Sequence, residues 1–427
     1  MSPPTALPDE VIEHLRALVR CDTTNPPGNE MAAAQYLAGV LGAAGVTARV
    51  IESAPGRGNL VARLQAGTAP APQDALLLHA HLDVVPARAA DGWTHDPFAG
   101  DLADGFIWGR GALDNKAAVA MMLVAVLALA RSGAPLARDV IFAATADEEA
   151  GGFDGAGWLV ERHTELIDAG YCVGEGGGYS ATIAGKRFYP CSIAEKGFCR
   201  MRVHARGPAG HGSLPVPDNA ILTLGAALRR ISRPLPHHRV RAVEDFMAGL
   251  GRLAGRPAAL ALSELARTGR GTPLLALATR RGSPALRDMA RQLNALLRNT
   301  VSPTVLEAGL RDNVIPSTAT ATLDGRFLPG QSAETFVAEL RAVLGPRLAA
   351  LVEIAVDRVG PAVEFPWASP LADALVAATA RHDATAPVLP FMLYAVTDAK
   401  HLVKLPSLRH LYGYNPLRAP RGFSLPE

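Results

Sequence analysis

Apolar positions along this chain fall into two rhythms. Val11, Ile12, Leu15, Leu18 and Val19 recur at helical spacing and predict a helix over residues 10–20. The stretch Thr23-Thr24-Asn25-Pro26-Pro27-Gly28 breaks it, and a second helix is expected from about 30 to 44. Residues 46–51, 59–64 and 75–83 read as strands. A long apolar helix follows over 116–132, then strands at 139–145 and 169–173 with a helix over 155–163 between them. Strands alternating with helices predict an α/β sheet covered on both faces. From Phe198 the rhythm changes. Residues 198–205, 305–310 and 318–326 alternate sides, 352–356 is a last strand, and helices are expected over 219–231 and 333–344. That β-α-β-β-α-β order is the split βαβ arrangement of a small α+β domain. The Ala-, Leu-, Arg- and Gly-rich residues from about 234 to 299 are expected to add helices within it. After Pro361 a helix over 371–382 and a strand over 408–412 return to the first style. The expected layout is an α/β domain in two parts, 1–192 and 361–427, interrupted by an α+β (ferredoxin-like) domain at 193–360.

A chain of 427 residues is too long for one typical domain, which agrees with this division. With 42 basic and 40 acidic side chains the net charge is +2, which gives no reason to expect a nucleic-acid partner or an acidic membrane surface. Cys21, Cys172, Cys191 and Cys199 form no Cys-x-x-Cys pair and read as buried free thiols, compatible with a reducing compartment. The opening Met1-Ser2-Pro3-Pro4 runs into an acidic amphipathic segment without an apolar signal core. The longest apolar run, Ala117–Ala130, is too short to span a bilayer. A soluble, cytoplasmic protein is the expectation.

Three clusters carry the candidate chemistry. His79-Ala80-His81-Leu82-Asp83 and Asp147-Glu148-Glu149 each follow an apolar strand, and Gly109-Arg110-Gly111-Ala112-Leu113-Asp114-Asn115-Lys116 precedes the long helix. Glu175, in Val173-Gly174-Glu175-Gly176-Gly177-Gly178, again follows a strand. Acids and imidazoles at the ends of buried strands are costly unless compensated, and a divalent metal compensates several at once. Carboxyl ends of strands in open α/β sheets are also where sites collect. In His81-x-Asp83 the carboxylate can accept the hydrogen bond of the imidazole's other nitrogen and fix its tautomer. His79 lies deeper and is given a structural role. Adjacent Glu148 and Glu149 resolve their repulsion if one binds metal and the other acts as a base. Each cluster has a plain structural alternative: a half-buried His–Asp pair, an N-cap Asp114, a solvated acidic turn, a flexible glycine turn. Their order and shared position carry the inference. One His with Asp114, Glu149 and Glu175 suits a hard or borderline divalent ion. No phosphate loop, dinucleotide Gly-x-Gly-x-x-Gly or Gly-x-Ser-x-Gly elbow occurs.

The sequence His-x-Asp, Gly-Arg-Gly-x-x-Asp-Asn-Lys, Asp-Glu-Glu and Glu-Gly-Gly, in that order, resembles the dizinc aminoacylase and carboxypeptidase family. That family includes acetylornithine deacetylase, succinyl-diaminopimelate desuccinylase, glutamate carboxypeptidase and carboxypeptidase S. The likeness continues through Ala194-Glu195-Lys196-Gly197, Gly207-Pro208-Ala209-Gly210-His211-Gly212, Asn313-Val314-Ile315-Pro316 and Gly325-Arg326-Phe327. It implies an α/β catalytic domain with an inserted lid through which two copies dimerise. By motif, His81, Asp114 and Glu175 would hold one zinc, and Asp114 would bridge to a second held by Glu149; cobalt or manganese would suit the same donors. Asp83 would orient His81, and the Asp114-Asn115 peptide would be cis. Glu148 would be the general base. His211 would stabilise the oxyanion in the partner subunit's site. Arg326 and Asn313 would hold a substrate carboxylate, with a salt bridge inside the lid as the alternative for Arg326. The implied reaction is metal-dependent hydrolysis of an amide bond adjacent to a free carboxylate, in an N-acyl amino acid or short peptide. Two departures stand out. Val396-Thr397-Asp398-Ala399-Lys400 lacks the glycine of the family's Gly-Thr/Ser-Asp-Ala-Arg. The sequence also ends at Phe423-Ser424-Leu425-Pro426-Glu427, before a segment resembling His-Gly-x-Asn-Glu that carries a last zinc ligand. A truncated chain with its second site one ligand short is the resulting expectation, and a catalytically impaired, dimeric binding remnant is the alternative to a working metallohydrolase.

Overall fold

The computed structural model describes residues 7–67, 74–269 and 284–418. These form two compact units. The first takes the described residues up to Ser180, then Ala368–His382 and the described residues from Thr397. The second takes Ala181–Trp367 and Asp383–Val396.

In chain order the first unit has strands β1 (Ala48–Glu52), β2 (Gly58–Leu64), β3 (Leu76–His81), the short pair β4 (Asp101–Ala103) and β5 (Phe106–Trp108), β6 (Val140–Thr145) and β7 (Tyr171–Gly174). The second contributes β8 (Ala181–Ile183), β9 (Lys186–Glu195), β10 (Gly197–Arg206), β11 (Gly210–His211), β12 (Thr300–Ala308), β13 (Val314–Ile315), β14 (Thr318–Phe327), β15 (Val352–Gly360), β16 (Val363–Glu364) and β17 (Val388–Leu393). The last strand, β18 (His410–Gly413), belongs to the first unit.

The first unit's main sheet runs β1-β2-β6-β3-β7-β18. From β6 to β18 every pairing is parallel. Parallel sheets are covered on both faces, so their strands read as continuous apolar runs. Val140-Ile141-Phe142-Ala143-Ala144-Thr145 is buried at every position. Helix Lys116–Ser132 is buried at Val119, Leu123, Val126 and Leu127 and ends at Gly133, where the sequence places it. Because β3, β6 and β7 run the same way, with His81 opposite Thr145 and Leu78 opposite Val173, their carboxyl ends lie along one edge.

In the second unit an antiparallel sheet runs β12-β14-β10-β15. Met201, Val203, Leu323 and Phe327 on its strands pack with Leu224 and Ile231 of helix Ala220–Ile231 and Phe336 and Leu340 of helix Ala333–Ala349. The expected split βαβ fold is therefore present. Helix 333–349 is broken by Gly345-Pro346, which is why the sequence pattern stops at Leu344. Helices Arg241–Ala254, Arg256–Thr268 and Pro284–Leu297 occupy the segment expected to be helical, apart from the part outside the described residues.

Periodicity missed β9 and β17, which pair in parallel. Both carry a proline, Pro190 and Pro390, and both are buried along most of their length, so neither alternation nor composition marks them. Cys172, Cys191 and Cys199 are buried free thiols and Cys21 is half-buried. No helix among the described residues is long and apolar enough to cross a membrane. The expectation about the chain's end concerns residues outside those described.

Candidate metal centre

His81 ends β3 and is buried. Its Nδ1 lies 3.0 Å from the backbone oxygen of Asp83, and the Asp83 carboxylate is 3.4 Å away. The imidazole is thus held through the main chain as well as the carboxylate that the sequence singled out. Asp83 has a second task. Its Oδ1 accepts from the backbone N–H of Glu148 (2.9 Å), and its Oδ2 accepts from that of Glu149 (3.1 Å) and from Asn25 Nδ2 (2.8 Å). One carboxylate therefore ties the end of β3 to the turn after β6. Burial raises its pKa, but the hydrogen bond and charge of His81 outweigh that and hold it below the ordinary range.

The other imidazole nitrogen points into the acids. His81 Nε2 is 3.2 Å from Asp114 Oδ1 and 3.3 Å from Glu175 Oε2. The Asp114-Asn115 peptide is cis. Asp114 leaves 72% of its side chain exposed, so the centre is open on that side. Asn115 Nδ2 donates to Glu175 Oε2. Glu148 and Glu149 sit in a short 3₁₀ turn, residues 148–150, entered through Asp147 at φ +70°. That left-handed residue is fixed by its carboxylate, which receives Arg57 Nη2 (2.5 Å), Asn25 Nδ2 (3.2 Å) and the Asp154 N–H (3.1 Å). Arg57 also pairs with buried Glu30 at 3.1 Å.

Two sets of donor atoms lie within 4.8 Å of one another: His81, Asp114 and Glu149, and His81, Glu148 and Glu175. The four expected ligands and the expected base are thus gathered around one imidazole. Their electrostatics fit a cation. Burial first, then the charge of Glu175, pushes Glu148 well above its usual range. Burial, with Asp114, Asp83 and Glu175, brings Glu149 to about 7 against the pull of His81. Burial disfavours a charged His81, yet Glu175, Asp114 and Asp83 together raise it well above its usual value. A site that draws protons onto both its acids and its imidazole carries surplus negative charge that a divalent ion would neutralise.

His79 has the structural place expected of it, buried with Nε2 3.0 Å from Thr145 Oγ1 and 3.5 Å from Asp398 Oδ2. Sequence reasoning missed Asn25 and Arg57 as neighbours of the centre, and it named Asp147 in the acidic cluster and Asp398 and Lys400 in a family-like motif without giving them a role there. Asn25-Pro26-Pro27 registered only as a helix breaker, although its two X–Pro bonds are cis and Asn25 is buried. The segments flanking His81–Asp83 and Asp114 also wall a cavity of about 810 Å³ lined by Val85, Pro86, Arg88, Trp93, Trp108 and Arg110.

The remaining candidates lie in the second unit. His211 pairs with Val314 between β11 and β13, and the Gly212 N–H donates to the Asn313 carbonyl at 2.8 Å, so His211 and Asn313 are neighbours. His211 is exposed, its Nδ1 2.7 Å from Ser213 Oγ. Arg326 is gripped by Asp324 through Nε (2.9 Å) and Nη2 (3.2 Å), the salt bridge weighed as its alternative role.

The chain thus joins a mixed sheet, with acids and an imidazole at the carboxyl ends of its parallel strands, to a ferredoxin-like unit. The model of peptidase family M20/M25/M40 matches residues 77–419, and the chain belongs to that family. It is 28% identical over 338 residues to a probable carboxypeptidase S-like 2 of Dictyostelium discoideum, covering 76% of this chain and 62% of that protein. It is also 28% identical over 355 residues to the N-fatty-acyl-amino acid synthase/hydrolase PM20D1 of Xenopus tropicalis, covering 80% of this chain and 65% of the relative. The chain thus spans less than two thirds of the length of either relative. The M20 metallo-carboxypeptidase Sso-CP2 of Sulfolobus solfataricus shares the fold, with a TM-score of 0.70 at 18% identity, covering 95% of this chain and 91% of that one.

Proposed function

We propose that this protein hydrolyses an amide bond next to a free carboxylate, in N-acyl amino acids or in short peptides cut at the C-terminus. The observation that carries this reading is the position of Glu148, a largely buried carboxylate held beside His81, Asp114, Glu149 and Glu175 but anchored by its own backbone to Asp83. His81, Asp114 and Glu175 would hold one zinc, and Asp114 with Glu149 a second. Zinc bound there supplies Lewis acidity, polarising the scissile carbonyl and acidifying the attacking water. Glu148 takes the proton of that water and returns it to the leaving amine. Asn115 steadies Glu175, and Asp83 steadies both His81 and the Glu148 turn. The cavity whose lining combines Val85, Trp93 and Trp108 with Arg88, Asp91 and Arg110 would give room for an acyl or side-chain group. Arg326, on exchanging Asp324 for substrate, and Asn313 would receive the carboxylate, and His211 would serve the oxyanion of a partner copy in a homodimer.

Glu148→Gln tests the reading. Turnover of an N-acyl amino acid and dipeptide panel should fall by at least about 10²-fold, with metal content unchanged. Turnover that survives this substitution would overturn the mechanism.

A further inference from the structure

Glu148 is as well placed to bind a metal as to serve one. One of its oxygens lies within 4.8 Å of ligand atoms of His81 and Glu175, the same range that groups His81, Asp114 and Glu149. Distance alone therefore does not separate base from ligand. A carboxylate that donates its lone pairs to a metal is a poor proton acceptor. Something must hold Glu148 back.

A second cation faces it. Lys400 Nζ lies 3.6 Å from Glu148 Oε1. The same ammonium is 3.6 Å from Asp398 Oδ1 and donates to the Thr397 carbonyl at 3.0 Å. Its side chain is 5% exposed, so water screens this charge little. Asp398, fully enclosed, is fixed in turn. Its Oδ2 accepts from Thr145 Oγ1 at 3.3 Å, while its Oδ1 accepts no hydrogen bond and is compensated by the ammonium. His401 and Asp398, which lie to either side of Lys400 in the chain, border the turn that carries Glu148. His401 Nε2 is 2.8 Å from the Gly151 carbonyl, and a Cβ on Gly152 (φ +74°) would come within 2.1 Å of Asp398 Oδ1. The ammonium is thus locked at a set place relative to the Glu148 turn.

We propose that Lys400 is a positioning residue that competes with the metal for Glu148, keeping this carboxylate out of the coordination sphere and free to carry protons. This rests on the reading of Glu148 as the base. Removing the ammonium lets Glu148 swing onto the ion and become a further ligand. The ion is then held more tightly and the base is lost.

The test uses the full chain loaded with Co²⁺, whose visible absorption reports ligand number and geometry. In Lys400→Met the spectrum should change, Co²⁺ should resist a competing chelator more strongly, and kcat should drop at least about tenfold with KM nearly unchanged. Lys400→Arg, which keeps a cation, should restore the wild-type spectrum and turnover. The spectral change and the tighter binding should vanish when Lys400→Met is combined with Glu148→Gln. Lys400→Gln is the second neutral variant should Lys400→Met fail to fold. An unchanged spectrum and unchanged chelator resistance in the neutral variants would overturn the role of Lys400, whatever happens to turnover. A wild-type chain that hydrolyses nothing in the panel while the spectrum still shifts would instead defeat the proposed function and leave the role of Lys400 standing.

Discussion

Lys196 is buried, and among the described residues its ammonium pairs with no carboxylate: it donates to the Arg298 carbonyl at 2.7 Å and Thr300 Oγ1 at 3.1 Å. Burial, helped by the charge of Arg326, pulls it down to about 7. In the unfolded chain it keeps a lysine's ordinary value, about 10.4. Between those values the unfolded state binds more protons, so this lysine makes stability rise with pH from about 7 toward 10. In urea unfolding at pH 7 and 9.5, wild type should gain on Lys196→Met by about 1–3 kcal/mol, at most about 1.4 per pH unit. A difference that does not vary with pH would contradict it. Arg57 shows the opposite case, a buried cation between two acids, Glu30 and Asp147. Arg57→Met leaves Glu30 without its cation and Asp147 with only the Asn25 and Asp154 N–H donors, and should cost about 3–5 kcal/mol, read as a lowered urea midpoint. Neither residue was legible as part of a cluster. His81, Asp83, Asp114, Glu148, Glu149 and Glu175 were, because each sits at a strand end or helix start that the apolar pattern marks. Arg57 and Asp147 lie 90 positions apart, and Thr145 and Asp398 lie 253 apart. Pairings of that kind are set by the sheet order, which spacing along the chain does not encode.

At the scale of elements, two strands that escaped the sequence, β9 and β17, are buried along most of their length and each carries a proline. β9 is buried from Phe188 to Glu195 and then meets Gly197, where β10 begins with strict alternation. One continuous extended segment thus changes from a fully enclosed strand to a half-enclosed one at a single glycine. A Cβ on Gly197 would come within 2.4 Å of Phe327 and 2.6 Å of the Ala362 backbone nitrogen. Phe327 belongs to β14, which pairs with β10 over its whole length, so the clash lies at the corner of the second unit's sheet. Gly197→Ala should destabilise by about 1–3 kcal/mol through overpacking, shown by a lower denaturation midpoint with metal content unaltered. An unshifted midpoint would mean the corner relaxes freely. The antiparallel strands of that sheet were readable because one face packs on helices and the other does not. The helix break at Gly345-Pro346 was readable from the same local chemistry.

For the whole molecule, every donor grouped around His81 among the described residues belongs to the first unit. A metal held there acts first on the elements that present the donors: the ends of β3, β6 and β7 and the turn at 147–151. Anything that binds the folded state alone stabilises it by mass action, about 2.7 kcal/mol at a hundredfold excess over Kd. In a unit of this size each kcal/mol raises the melting temperature by about 2–4 °C. The centre adds a specific reason for a large response, because without a cation burial and mutual repulsion oppose the charges of Glu148 and Glu149. Stripping the protein with a chelator and restoring Zn²⁺ should therefore raise its melting temperature by several degrees. Hydrogen exchange should slow at β3, β6 and β7 and in the 147–151 turn, while β10, β12 and β14 exchange as before. Cobalt and manganese should reproduce the pattern with smaller shifts where their affinity is lower. Slowing confined to the second unit, or none in either, would place the metal elsewhere and break the link between the strand-end acids and the chemistry assigned to them.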